Sequence, residues 1–140
     1  MKAIIQFTTL LLFTLLISCK DSENITKCGT AAIVNSELYT SAPNDKIFIN
    51  NARIEEDCLY IEIGASGCSG DSWEINLYAT EEILESFPPQ RNVRLSLKND
   101  EMCQAYFTRE LIFDISNLKT NGSELQLNLT DFEDSLLYKH

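Results

Sequence analysis

Leu59-Tyr60-Ile61-Glu62-Ile63 and Trp73-Glu74-Ile75-Asn76-Leu77 flank a short glycine-rich turn and repeat one pattern, apolar residues at every second position with polar or amphipathic ones between. Side chains along a strand point alternately to its two faces, so this period of two places one face in a core and the other in water. The period returns in Val93, Leu95 and Leu97 against Arg94, Ser96 and Lys98. Leu111, Phe113 and Ile115 carry it on, followed by Leu125, Leu127 and Leu129 against Gln126 and Asn128. Residues 31–34 and 47–54 read as further strands. The second of these changes phase between Ile49 and Ile54, at Asn50-Asn51, which predicts a bulge. Only residues 80–87 suit a helical turn, which Pro88-Pro89 would end.

About seven short strands joined by polar turns predict an all-β fold, an antiparallel two-sheet β-sandwich of immunoglobulin-like type. A closed barrel is the alternative. No internal repeat or interdomain linker interrupts residues 28–140, which read as one sandwich domain.

The start of the chain has a different character. Met1-Lys2 supplies a positive charge, and residues 3–17 are apolar apart from Gln6 and three threonines. Fifteen helical residues reach about 22 Å, short of the roughly 30 Å hydrocarbon core. Leu16-Ile17-Ser18-Cys19 follows at once and resembles the lipobox of bacterial lipoproteins, in which a peptidase cuts before a lipid-modified cysteine. An ordinary signal peptide would place a small residue where Leu16 stands. The resemblance implies a signal peptide over residues 1–18 and lipidation of Cys19. The address it implies is the bacterial outer membrane, facing the periplasm or the cell surface. Residues 19–27 are too polar to bury themselves and read as a flexible tether. Lys20-Asp21-Ser22-Glu23 within them resembles the Lys-acidic surface-export signal of Bacteroidota lipoproteins.

With Cys19 assigned to lipid, Cys28, Cys58, Cys68 and Cys103 remain, an even set in an oxidising compartment. They contain no C-x₂-C pair, and His140 is the only histidine, so zinc is a poor reading and no metal is assigned. Cys58 and Cys68 flank a single strand up to about 33 Å long and cannot pair with each other. If strands 59–66, 73–80 and 92–99 form a meander, the third returns to the Cys68 end. Cys68–Cys103 is then the natural bridge, and Cys28–Cys58 follows by elimination.

The formal charge is −10, and removal of Lys2 with the leader takes it to −11. Nucleic acid and anionic lipid surfaces would repel such a chain. Nucleophile and phosphate-loop enzyme readings fail on residue content, while a carboxylate-pair hydrolase stays a minor alternative to reading the 21 acids as solvated surface. Neither Ser66 nor Ser69 satisfies G-x-S-x-G, no histidine lies in the body of the chain, and no phosphate-binding glycine loop occurs. No catalytic residue and no cofactor is assigned.

Gly64-Ala-Ser-Gly-Cys-Ser-Gly-Asp-Ser-Trp73, between its two alternating strands, resembles the strand–Gly-Cys–strand core of NigD-like lipoproteins of Bacteroidota. The likeness covers about residues 53–78, with a looser match from Phe113-Asp114-Ile115 to Leu129. It implies a small secreted β-sandwich and brings no catalytic residue with it.

Two segments are candidates for function. The loops holding Asp71-Ser72 and Asn99-Asp100-Glu101 fall at the end closed by Cys68–Cys103, and the Asn44-Asp45 turn joins them if strands 47–55 and 59–66 pair antiparallel. Their oxygens could hold Ca²⁺ or present a recognition surface for a glycan or a protein. The competing account is that Asn, Asp and Ser occupy turns for backbone reasons alone. The second segment is the Glu81–Arg91 connection, whose Pro88-Pro89 stiffens a loop that an inhibitor or accessory subunit could dock.

Overall fold

The computed structural model describes residues 28–140. The expected signal peptide over residues 1–18, Cys19 and the expected tether over residues 19–27 all lie outside the described residues. Nine strands are formed among the described residues: β1 (Thr30–Ala31), β2 (Ile33–Val34), β3 (Phe48–Glu55), β4 (Cys58–Gly67), β5 (Glu74–Ala79), β6 (Gln90–Lys98), β7 (Ala105–Asp114), β8 (Glu124–Leu129) and β9 (Leu136–Lys139). They make two facing sheets, ordered β1-β7-β4-β3 and β2-β5-β6-β8-β9. Leu59, Ile61 and Ile63 from the first sheet are fully buried, as are Val93, Leu97, Leu125, Leu127 and Tyr138 from the second. Burying each such side chain contributes about 1.5–3 kcal/mol, which is why the alternating residues dictate the two layers.

The sandwich is the expected one, with richer pairing. β3–β4, β4–β7, β5–β6 and β8–β9 are antiparallel, while β1–β7, β2–β5 and β6–β8 are parallel. The segment 31–34 is split between the sheets. Ala31 pairs with Asp114 in one and Ile33 with Tyr78 in the other, and buried Ala32 makes the crossing. The expected irregularity in β3 lies between Ile49 and Asn51.

Three expectations are corrected. Strands 59–66, 73–80 and 92–99 are not a meander, because β4 lies between β3 and β7 while β5 and β6 belong to the other sheet. The 68–73 turn crosses between layers, with Gly70 in the left-handed region at φ +74°. Residues 80–87 are not helical. Among the described residues the α-helix is instead α1 (Ser36–Ser41), started by Asn35, whose side-chain oxygen accepts from the Leu38 N–H at 2.8 Å.

Arg94 and Ser96, read as solvent-facing, are buried beneath α1 and the turn after it. The Arg94 guanidinium donates to the carbonyls of Tyr39, Ala42, Leu38 and Pro43, and Ser96 Oγ donates to Pro43 at 2.7 Å. These groups satisfy carbonyls that a helix end otherwise leaves without partners.

Both disulfides pair as expected, Cys28–Cys58 with Cα atoms 5.0 Å apart and Cys68–Cys103 at 4.8 Å. They sit at opposite ends of β4, roughly 33 Å apart at the usual rise per residue. The Cys28 end is the near end and the Cys103 end the far end. The pairing survives the loss of the meander because β6 still runs back to the far end, where Lys98 meets Glu74.

Candidate functional site

The far end is built from three loops tied by named bonds. In the first, the N–H groups of Cys68, Ser69 and Gly70 all donate to the Glu101 carboxylate, and Ser72 Oγ adds a fourth donor at 2.9 Å. Successive amides turned to one side make an anion-binding concavity, and here the chain's own carboxylate fills it. Burial alone would raise the Glu101 pKa, but the bonds from Gly70, Ser72, Ser69 and Cys68 outweigh it and hold the group at about 2. A Cβ at Gly67 would stand 2.3 Å from Glu101 Oε2 and 3.0 Å from the Trp73 ring, so glycine is required for the close approach.

The second loop carries Asn99, whose side-chain amide donates to Ser66 O at 2.7 Å and whose Oδ1 accepts from the Glu101 N–H at 2.9 Å. The third is the Asn44-Asp45 turn, where Asp45 accepts from the Asn99 N–H at 2.7 Å. Arg109 of β7 donates to Gly70 O at 3.1 Å and lies 5.4 Å from the Trp73 ring centre.

The three loops therefore meet as the sequence implied, with their side chains assigned to different tasks. Ser72, Asn99 and Glu101 hold backbone in place. Asp71 and Asp100 face water, Asp100 with its side chain 83% exposed and 3.8 Å from Lys98. Among the described residues no three His, Cys, Asp or Glu side chains converge as a metal-ligand group. His140 stands at the near end, its Nε2 accepting from the Thr120 N–H at 3.2 Å. Beside it Asp57 pairs with Lys119 and accepts from the Tyr138 hydroxyl. Lys119 and Tyr138 hold Asp57 below the usual carboxylate range, while burial and Asp57 push the Tyr138 phenol up.

Three residues at the far end were not read from the sequence: Lys46, Phe48 and Tyr106. A cleft of about 300 Å³ between the loops and the outer face of the β4 sheet is lined by Lys46, Phe48, Ser66, Asn99 and Glu101 among others. A second, of about 480 Å³, shares Asp45, Lys46 and Phe48 with it and reaches Asn44, Ile49 and Asp131. The one sequence signal for this surface was Gly64, a glycine inside a strand, which marks a close approach.

The Glu81–Arg91 connection lies at the near end. Leu84 and Gln90 exchange backbone bonds of 2.8 and 3.1 Å, and Ser36 Oγ accepts from the Glu81 N–H while donating to Glu82. This braced hairpin holds Phe87 99% exposed, with Leu84 half exposed and Ile83 partly so.

Among solved structures, a Bacteroides vulgatus protein of unknown function, DUF1344, shares the fold at a TM-score of 0.52 and 15% identity, over 79% of this chain and 57% of that one. A NigD-like immunity protein from Bacteroides caccae does so at 0.54 and 8% identity, over 71% of this chain and 52% of that one. The chain spans little more than half the length of each, and at these identities the likeness is one of fold alone. No family model and no curated protein matches the sequence.

Proposed function

We propose that the chain is a lipid-anchored module of the outer membrane, held through Cys19, that acts by binding rather than catalysis and uses the far end of its sandwich as the binding surface. The placement of the two disulfides carries this reading. Cys28–Cys58 fixes the first described residue at the near end and Cys68–Cys103 closes the opposite end, which supports a head anchored at one end and binding at the other. A mature charge of −11 repels anionic headgroups and favours a head held clear of the surface. Loops locked by hydrogen bonds and a disulfide lose little entropy on binding a ligand. A non-catalytic role is supported by the far end itself, where both cysteines are oxidised and the most constrained carboxylate is occupied by four donors.

One observation favours a second reading, an inhibitor or accessory subunit of an envelope enzyme acting through residues 81–91. A phenylalanine as exposed as Phe87 on a braced hairpin suits insertion into a partner's apolar pocket. Its position at the near end restricts such a partner to the membrane's vicinity.

Expression of the full chain and of Cys19→Ala in a bacterium that processes lipoproteins tests the anchor. The parent is expected in the membrane fraction and the variant in the soluble fraction. Retention of Cys19→Ala in the membrane would overturn the reading.

A further inference from the structure

The Glu81–Arg91 hairpin stands at the end of the sandwich where the described chain begins. Ala31 pairs with Asp114, which also pairs with Cys58, and Ile33, two residues on, pairs with Tyr78 near the end of β5. The connection from β5 to β6 therefore emerges at the same end as the Cys28–Cys58 bridge. Phe87 is 99% exposed there, with Leu84 at 48% and Ile83 at 38%. A single exposed apolar side chain is ordinary. The backbone around this one is not.

Pro88 and Pro89 have no N–H to desolvate. The Pro88 carbonyl accepts from Ser86 Oγ at 2.6 Å, and the Pro89 carbonyl from the Gln126 N–H at 2.9 Å. Leu84 and Gln90 spend both their backbone groups on each other. Much of the polar backbone that an apolar medium would strip of partners is thus already satisfied, which is the condition for non-helical chain to enter lipid. The backbone of Glu85, Ser86 and Phe87 would stay in the hydrated headgroup layer, with the Phe87 ring reaching below it.

The position of the tip decides its occupant. Cys28, the first described residue, is fixed at this end, and Cys19 precedes it by nine residues, a span of at most about 32 Å. A lipid on Cys19 keeps Cys28 within that distance of a bilayer, and at so high an effective concentration even weak insertion counts. A bilayer also accepts a convex tip without a pocket shaped to receive it. Glu81, Glu82 and Glu85 flank the tip and residues 81–90 contain no Lys or Arg, so the surface it suits carries neutral headgroups.

We infer that the Phe87 tip docks into the headgroup–acyl boundary of neutral lipids and stands the sandwich on its near end, with the far end directed away. The acidic body keeps clear of the surface, and only the tip touches it. The inference rests on the anchor at Cys19 and goes beyond it, since the lipid attaches the head and the hairpin orients it.

The test uses the full lipidated chain, reconstituted through its lipid into phosphatidylcholine vesicles with plain or brominated acyl chains. Trp73 lies at the far end, and its emission in the parent is expected to be equal in the two. In Phe87→Trp the added emission is expected to fall at least twofold in brominated vesicles. Replacing half of the lipid by phosphatidylglycerol should weaken that quenching at least twofold, and the Glu81→Gln, Glu85→Gln double substitution should restore it. Equal emission of the added indole in plain and brominated vesicles would overturn the docking and leave the anchor standing. Quenching of Trp73 as strong as that of the added indole would overturn the orientation. Protection of residues 83–87 from hydrogen exchange in native envelopes but not on these vesicles would assign the tip to a protein and overturn lipid docking. A chain that carries no lipid and does not stay with the vesicles would overturn the anchor, and the docking with it.

Discussion

Both carboxylate oxygens of Glu101 lie 3.0 Å from the Gly70 amide, across 31 residues of sequence. Glu101 occupies the position that a bound anion would take, and so turns an anion-binding loop into a structural joint.

That joint predicts a local acid transition. A carboxylate whose folded pKa is lowered from 4.5 to about 2 stabilises the fold fully above 4.5, and the contribution fades as pH falls through that window. Trp73, the only tryptophan, touches the same loop and reports on it. Its emission is expected to be constant from neutral pH down to about 5 and to change as pH approaches 2. Glu101→Gln should show the altered emission already at neutral pH. The same acid profile in both proteins would contradict the role of Glu101.

Removing the far-end disulfide should loosen the same loops. Cys68 and Cys103 are 35 residues apart, and opening a loop of that size costs about 3–4 kcal/mol. Chemical denaturation of the Cys68→Ser, Cys103→Ser double variant measures this loss. Hydrogen exchange should rise at residues 67–72 and 99–103 before it rises in β8.

Arg94 should prove costly to remove although it lies on the outer side of its strand. Arg94→Ala leaves the carbonyls of Tyr39, Ala42, Leu38 and Pro43 without their shared donor and should destabilise by about 2–3 kcal/mol. Arg94→Lys should recover only part of this, since an ammonium lacks the planar fork. Thermal unfolding of the two variants decides the matter.

Phe87 should behave in the opposite way. It contributes no buried area, so Phe87→Ser should leave stability within about 0.5 kcal/mol of the parent. A larger loss would show that the hairpin supports the near end.

The layers of the sandwich were legible because Leu59, Ile61, Ile63, Leu125 and Leu127 mark a buried face with a clean period of two. The disulfide partners were legible because strand lengths determine which cysteines share an end. Helix α1 was not, since its six residues carry only the Asn35 cap as a signal. Nor were the parallel pairings, which join strands distant in sequence mainly through backbone bonds. At the far end, Glu101 looked like a ligand because its partners are amides, and amides leave no trace in side-chain identity. Phe48 and Tyr106 escaped notice because aromatic residues on a strand usually imply core, whereas these two rest on the outer face over Gly64.

The central claim, a binding head carried on a lipid at Cys19, is tested most directly by top-down mass spectrometry of the full protein extracted from membranes. The account predicts a chain that begins at Cys19, carries a diacylglyceryl group on that residue, and holds Cys28–Cys58 and Cys68–Cys103 oxidised. A chain that retains residues 1–18, or one that begins elsewhere with an unmodified Cys19, would contradict it.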